Sequence, residues 1–260
     1  MRVARAIHEG NVVWGVVRDA SLLPLEAAFE STGDLLTQGG PAIDRAAERA
    51  GSQATPLADV ALLSPVTANQ QIVCLGKNYR SHTRETGVDP ESKTFNMWFR
   101  KASSCLNGPR DPIVRPARVR LLDYEVELGL VIGRGIDEPT RFEGPRLPDV
   151  VGALVVHNDV SARDVQVPQL QYYKGKSFRT FGPTGPWLTL VDDEIRSRWH
   201  EIRLQTRVNG ELRQDGLCSD MVYPPHETLT ELSEVQDLRP GDLIATGTPS
   251  GVAMQRSPAQ

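Results

Sequence analysis

Residues 122–132 read Leu122-Asp123-Tyr124-Glu125-Val126-Glu127-Leu128-Gly129-Leu130-Val131-Ile132. The alternation of carboxylate and apolar residues predicts a β-strand. Successive strand side chains point to opposite faces, so Glu125 and Glu127 share one face, about 7 Å apart along the strand. Val126 and Leu128 turn to apolar packing on the other. Two neighbouring carboxylates repel unless their face is solvated or a cation lies between them, and charged strand faces are usually just exposed. Both readings stand at this point. On a helix the two glutamates would diverge, and the cation reading would fail.

The segments around this run are also β-rich. Val150 to Val156 reads as a buried strand, and Ile72 to Leu75 and Asp242 to Ala245 as shorter ones. Ile202 to Val208, Asn209-Gly210 and Glu211 to Arg213 predict a hairpin, because Asn-Gly adopts the positive φ values of a type I′ turn. Residues 1 to 28 read as strands, with a turn at Glu9-Gly10-Asn11 before the β-rich Asn11 to Val17. Thr32 to Arg49 reads as one helix, with Thr32 as its cap and Gly51 as its stop. Leu62 to Val66 is a short apolar strand that meets Pro65. This divides the chain into a small N-terminal α+β domain, residues 1–66, and a catalytic domain, residues 67–260. The expected architecture is mostly β with short helices (α+β), a barrel or sandwich-like roll. A dinucleotide fold is excluded: after Gly133-Arg134-Gly135, Glu138 stands where the third glycine should be, and no helix pattern follows.

A chain of 260 residues makes one large domain, or one large and one small. With 39% hydrophobic and 24% charged residues it has an ordinary globular balance, and a net charge of −4 argues against a dedicated nucleic-acid binder. The longest apolar-plus-glycine run, Val150 to Val156, falls well short of the about 20 residues of a membrane span. Glu9 follows Arg2 and Arg5 before an apolar segment forms, so no signal peptide is expected. Cys74, Cys105 and Cys218 form no CxxC pair, and their odd number and wide spacing fit idle thiols in a reducing cytoplasm.

Four further clusters carry candidate chemistry. In Val155-Val156-His157-Asn158-Asp159-Val160-Ser161-Ala162-Arg163-Asp164, an apolar strand runs into a polar cluster, a common place for catalytic groups. Asp159 would be a third carboxylate, and three carboxylates without sulfur or imidazole suit a hard ion, Mg2+ or Mn2+. The bland alternative is an Asn-Asp helix cap with Arg163 and Asp164 as a surface pair. In Lys174-Gly175-Lys176-Ser177-Phe178, a lysine near such a site would hold a substrate carboxylate or a developing oxyanion, although two solvated lysines are the simpler reading. In Gly76-Lys77-Asn78-Tyr79-Arg80-Ser81-His82-Thr83-Arg84-Glu85, a helical turn makes His82 and Glu85 neighbours. A carboxylate that accepts from imidazole fixes its tautomer and makes it a better base; an exposed helix pair is the alternative. Ala245-Thr246-Gly247-Thr248-Pro249-Ser250-Gly251 is either a loop whose amides approach a ligand or an ordinary turn. His8, His200 and His226 have no partner pattern, and His157 reads as support for its loop.

In this order, these clusters resemble the fumarylacetoacetate hydrolase family, together with Gly182-Pro183-Thr184-Gly185-Pro186-Trp187, Val208-Asn209-Gly210 and Pro240-Gly241-Asp242 through Pro249. The resemblance spans about residues 70 to 252, and residues 1–65 resemble only the variable small domain that precedes the catalytic one in many members. It implies a mixed β-sandwich roll and a homodimer. It implies that Glu125, Glu127 and Asp159 ligate Mg2+ or Mn2+, that His82 and Glu85 form a catalytic dyad on a mobile lid, and that Lys176 contacts substrate. Thr248 matches a position that touches the substrate carboxylate, and Arg80 and Gln166 are further substrate-binding candidates.

The activity so implied is hydrolysis of the C–C bond of a 2,4-dioxo acid, of the acylpyruvate or fumarylpyruvate type, through a metal-bound pyruvate enolate. Oxaloacetate decarboxylation and isomerisation or hydration of a 2-hydroxydienoate from aromatic catabolism use the same metal site and form the alternative. A non-catalytic metal-binding homologue is a third reading. Two departures stand out. Arg179 follows Phe178, where many members place an acidic residue, which would alter the substrate's distal group or the subunit contact. The chain also ends at Gln260, where most members continue with a proline-containing loop and a further strand.

Overall fold

The computed structural model describes residues 1–49 and 54–256. The first strands, β1 (Arg2–His8), β2 (Asn11–Arg18) and β3 (Ser21–Pro24), form a meander. Glu9 and Gly10, at φ 50° and 78°, make its first turn. Then come α1 (Thr32–Gln38), α2 (Gly40–Glu48), β4 (Thr55–Pro56) and β5 (Ala61–Leu63). The single helix expected over 32–49 is two. Pro41 lacks an N–H and its ring would crowd the carbonyl one turn back, so the first helix stops and a second starts at Gly40. The cap is Ser31 rather than Thr32: its side chain accepts from the Asp34 N–H at 3.0 Å, while the Asp34 carboxylate accepts from the Ser31 N–H at 3.1 Å. Gly51, the expected stop, lies outside the described residues.

The rest of the chain supplies β6 (Ile72–Gly76), α3 (Arg80–Glu85), β7 (Met97–Lys101), β8 (Leu106–Asn107), β9 (Leu122–Asp123), β10 (Val126–Ile132), β11 (Val151–Asn158) and β12 (Ser161–Ala162). These are followed by α4 (Arg163–Gln169), α5 (Tyr172–Lys176), β13 (Gly182–Leu190), α6 (Asp193–Arg198), β14 (Arg203–Val208), β15 (Glu211–Leu217), α7 (Pro225–Val235) and β16 (Leu243–Ala245). The main sheet runs β4-β3-β2-β1-β13-β11-β10-β16-β6-β7, with β5 on β1 and β8 on β13. Most neighbours are antiparallel, whereas β16–β6 and β13–β8 are parallel, so the sheet is mixed and the fold is the expected mostly-β roll with short helices. One sheet passes through both expected domains, because β1 pairs with β13 at Arg2↔Thr189 and Val3↔Leu188. The hairpin β14–β15 turns at Asn209 and Gly210, with φ 51° and 82°, as their sequence demands.

The run 122–132 is extended but interrupted. Its ladder breaks at residues 124–125 because side chains replace strand partners. The Glu125 N–H donates to Asn158 Oδ1 at 3.1 Å, and the Val126 N–H to Gln214 Oε1 at 3.0 Å. β10 itself is buried on both faces. Leu128, Leu130 and Ile132 pack with Trp199, Leu229 and Leu232, while Val131 packs with Leu35, Val155 and Phe181. By strand alternation Glu125 and Glu127 lie on the Val131 side, at the end of an apolar layer. They are 5% and 2% exposed, so the solvated-face reading fails. No helix among the described residues is long and apolar enough to cross a membrane.

Candidate active site

At the β9–β10 junction and the end of β11, four carboxylates gather under one cavity wall. Asp123, Glu125, Glu127 and Asp159 are all buried, as are Lys101, Arg163 and Lys176 facing them. Lys101 Nζ, at the end of β7, donates to Asp159 Oδ1 at 2.6 Å and to the Phe181 carbonyl at 2.9 Å. Lys176 Nζ, at the end of α5, bridges Glu125 Oε2 at 2.6 Å and Asp159 Oδ2 at 2.5 Å. Arg163, the first residue of α4, reaches Asp123 Oδ2 at 2.8 Å, Glu125 Oε1 at 2.5 Å and Gln166 Oε1 at 2.9 Å. Asp123 also accepts from the backbone of Ala253 and Met254 at 2.7 and 3.1 Å, which ties the chain's last described turn to the site. The surface-pair and helix-cap readings of residues 158–164 are thereby overturned: α4 starts at Arg163, whose guanidinium faces inward. Of the two lysines in 174–178, Lys174 is exposed as expected of a solvated residue and Lys176 is buried.

Charge matching sorts the carboxylates. Burial opposes ionisation of Asp159, but Lys101 and then Lys176 outweigh it and hold its carboxyl well below the usual range. Burial is likewise outweighed at Glu125, by Lys176 and Arg163, and the shift is downward. The ammonium of Lys176 is raised, because Asp159 and Glu125 overcome its own desolvation. Glu127 differs. Its partner is the Gly247 N–H at 2.9 Å, and burial, then Asp159 and Glu125, push its carboxyl well above the ordinary value. Four carboxylates face three cations, and Glu127, which has no ion pair among the described residues, is the one whose charged form this low-dielectric site disfavours.

Ligand oxygens of Glu125, Glu127 and Asp159 lie within 4.8 Å of one another. Oxygen donors alone, buried, with one carboxylate that has no ion pair among the described residues, fit a hard divalent cation. Gly247, at φ 92°, lets its N–H approach Glu127; a Cβ there would stand 3.0 Å from the Leu75 carbonyl. The loop after β16 therefore positions a carboxylate rather than presenting that amide to a ligand.

The cavity above this cluster has a volume of about 570 Å³, and His82, Gln166 and Thr248 line it with Glu125 and Glu127. His82 Nδ1 lies 3.0 Å from Glu85 Oε2, and Glu85 Oε1 accepts from the Gly251 N–H at 2.8 Å. An ionised carboxylate only accepts, so Nδ1 carries the proton and neutral His82 keeps its lone pair on Nε2. Thr248 Oγ1 donates to the Val126 carbonyl at 2.9 Å and accepts from Gln214 Nε2 at 2.8 Å, so its hydroxyl proton is already committed to the protein. Gln166 lines the cavity with its carbonyl turned to Arg163, which frees its NH2. Arg80 is not brought there: it donates to the Met221 carbonyl at 2.5 Å and lies 3.6 Å from Glu91. Arg179 is exposed and does not line the cavity. His157 supports its loop through Thr184 Oγ1 at 2.9 Å, and burial, helped by Lys101, lowers it to about 3. The three cysteines are free and buried.

Lys101 and Asp123 are the site residues that sequence reasoning passed over. Asp123 alternates with Glu125 and Glu127 in the same run, a usable signal. Lys101 follows Arg100 after the apolar Met97-Trp98-Phe99 stretch, and nothing in the pair Arg100-Lys101 says which cation is buried. One prediction arises from the anchoring of Glu85. Gly251 has φ 104°, and a Cβ on it would lie 2.0 Å from the Arg213 carbonyl. Gly251→Ala is expected to cost about 1–3 kcal/mol and to lower kcat by shifting Glu85. Thermal melting together with turnover checks this, and unchanged values for both would contradict it.

Residues 71–260 match the family described as fumarylacetoacetate (FAA) hydrolase C-terminal, and residues 1–65 match the Rv2993c-like, N-terminal family. The oxaloacetate tautomerase YisK of Bacillus subtilis (strain 168) is 38% identical over 210 residues, covering 80% of this chain and 68% of that protein. The mitochondrial oxaloacetate tautomerase FAHD2B of Bos taurus is 38% identical over 205 residues, 78% of this chain but only 63% of that protein's length. Among solved structures, the fumarylacetoacetate hydrolase from psychrophilic Exiguobacterium antarcticum superposes with TM-score 0.80 at 32% identity, covering 100% of this chain and 91% of that one. A 2-hydroxyhepta-2,4-diene-1,7-dioate isomerase from Mycobacterium marinum gives TM-score 0.72 at 29% identity, covering 97% and 88%.

Proposed function

The chain belongs to the fumarylacetoacetate hydrolase family, and from that membership we propose that it is an enzyme of keto–enol chemistry on a small 2-oxo acid of the oxaloacetate type. The observation that carries this reading is the shared cavity: His82, oriented by Glu85, lines the same space as Glu125, Glu127 and Lys176. The relatives named above as tautomerases and an isomerase support proton relocation over C–C hydrolysis as the principal reaction.

The chain's own groups divide the work. His82 Nε2 takes a proton from C3 of the 2-oxo acid, a carbon acidified by its neighbouring carbonyls, and Glu85 stabilises the imidazolium that results. As that proton leaves, negative charge develops on the oxygen at C2. The Lys176 ammonium donates to this oxygen, a contact of a kind worth about 3–4 kcal/mol. Return of a proton to oxygen rather than carbon completes the tautomerisation with no bond to carbon broken except C–H. Gln166 offers its NH2 to a substrate carboxylate. Glu125, Glu127 and Asp159 are the residues that would hold Mg2+ or Mn2+, and such an ion supplies Lewis acidity toward the carboxylate and 2-oxo oxygens. Hydrolysis of an acylpyruvate is a second reading, favoured by the same dyad, since His82 would deprotonate a water instead of C3.

The enol form of oxaloacetate, acetylpyruvate and a 2-hydroxydienoate, each with Mg2+, Mn2+ or chelator, separate these chemistries. Chelator-sensitive decay of enol absorbance above the protein-free control, without CO2 release, is expected. Pyruvate plus acetate formed from acetylpyruvate with higher kcat/KM would establish the hydrolase instead, and pyruvate plus CO2 from oxaloacetate the decarboxylase.

A further inference from the structure

Three cations line the cavity: Lys77, Arg163 and Lys176. Two are spoken for. Arg163 is held by Asp123 and Glu125, and Lys176 by Glu125 and Asp159. Lys77 is half-buried, and among the described residues its ammonium has no hydrogen-bonded or carboxylate partner. Its backbone, by contrast, is firmly held. The residue sits just after β6 at φ 53°, a left-handed conformation that is costly for a side chain other than glycine or asparagine. Its carbonyl accepts from Thr83 Oγ1 at 3.0 Å and from Lys93 Nζ at 3.1 Å. The point from which the side chain projects is therefore fixed, on the same segment that carries His82. Lys93 adds a second positive group next to it. Burial above all, and in smaller part Lys77, lower its ammonium to about 8, while Glu231 pulls the other way.

The geometry points to Lys77 as the residue that selects dicarboxylic over monocarboxylic 2-oxo acids, its ammonium receiving the carboxylate distal to the reacting carbonyl. This rests on the 2-oxo-acid reading above. One end of a dicarboxylate belongs at Lys176 and the carboxylate triad. The other end needs a cation that is not already neutralised, and Lys77 is the lining cation that meets the condition. A monocarboxylate of the same core makes no use of it. Lys77 touches substrate but not the reacting atoms, so its loss acts on binding and discrimination rather than on the proton transfer.

The test compares two unreactive acids that differ only in the distal carboxylate, 2-hydroxysuccinate and 2-hydroxybutanoate, bound to the Mn2+-loaded protein and followed by calorimetry. The wild type is expected to favour the dicarboxylate by at least about 10-fold, and Lys77→Met to weaken it about 10- to 100-fold. The monocarboxylate should stay within about 2-fold. Lys77→Arg should keep most of the preference. Equal weakening of both acids, an unchanged ratio in Lys77→Met, or a wild type that binds neither acid or does not discriminate overturns the proposal. Proton exchange at C3 of oxaloacetate in D2O is measured in parallel. Discrimination without exchange would overturn the keto–enol reading and leave Lys77 in its role.

Discussion

Asp159→Ala is expected to lower stability by about 3–5 kcal/mol and to abolish activity. Asp159 is fully buried, and both of its oxygens hold ammonium groups, Lys101 at 2.6 Å and Lys176 at 2.5 Å. Its removal leaves Lys101, whose side chain is 0% exposed, with the Phe181 carbonyl as its remaining partner. A charge stranded in that setting costs far more than the pair contributed, because desolvation has already been incurred on both sides. The effect on chemistry is separate. Two of the three carboxylates remain, with Lys176 shifted toward Glu125, and a hard cation loses one of its anionic ligands. Urea unfolding and Mn2+ binding, read on the same preparation, check both parts. A variant within 1 kcal/mol of wild type, or one that binds Mn2+ as tightly, would refute the account of this cluster.

His82→Ala is expected to lower kcat by about 10² to 10⁴-fold with little loss of stability. The residue belongs to a helix of six residues, and its polar contact is with Glu85, its neighbour on the same helix. Among the described residues no distant element hydrogen-bonds to its side chain, so the fold should tolerate the change. Glu85→Gln should fall between wild type and His82→Ala, because the amide keeps the Gly251 contact but no longer stabilises an imidazolium. Turnover with matched melting curves decides the matter. A His82→Ala enzyme with wild-type kcat would remove His82 from the mechanism.

How much of this was legible depends on distance along the chain. The hairpin at Asn209-Gly210 and the His82–Glu85 pair are local: two residues and one helical turn contain their whole signal. The common face of Glu125 and Glu127 follows from strand period alone. Burial is not local. Arg163 and Asp164 look like a solvated pair because adjacent charges usually are, yet Arg163 turns inward to Asp123, 40 residues away. Lys101 meets Asp159 across 58 residues. Neither partner leaves a mark near the other, and only the sheet order β11-β10-β16-β6-β7 brings their strands into one layer. The helix over 32–49 fails for a different reason. Its apolar period is helical throughout, but Pro41 removes one donor and crowds the preceding turn, a local veto that overrides the period. Thr248 shows a third limit. Sequence places a hydroxyl at the right loop, while the carbonyl of Val126 and the amide of Gln214 claim it.

The Lewis acidity proposed for this cavity requires that Glu125, Glu127 and Asp159 converge on one divalent ion. Crystals grown with Mn2+ and oxalate, measured for anomalous scattering, test that directly. The account predicts a single strong manganese peak within about 2.0–2.3 Å of one oxygen from each of the three carboxylates, with oxalate against the same ion. Manganese bound elsewhere, or a peak that excludes Glu127, would contradict it.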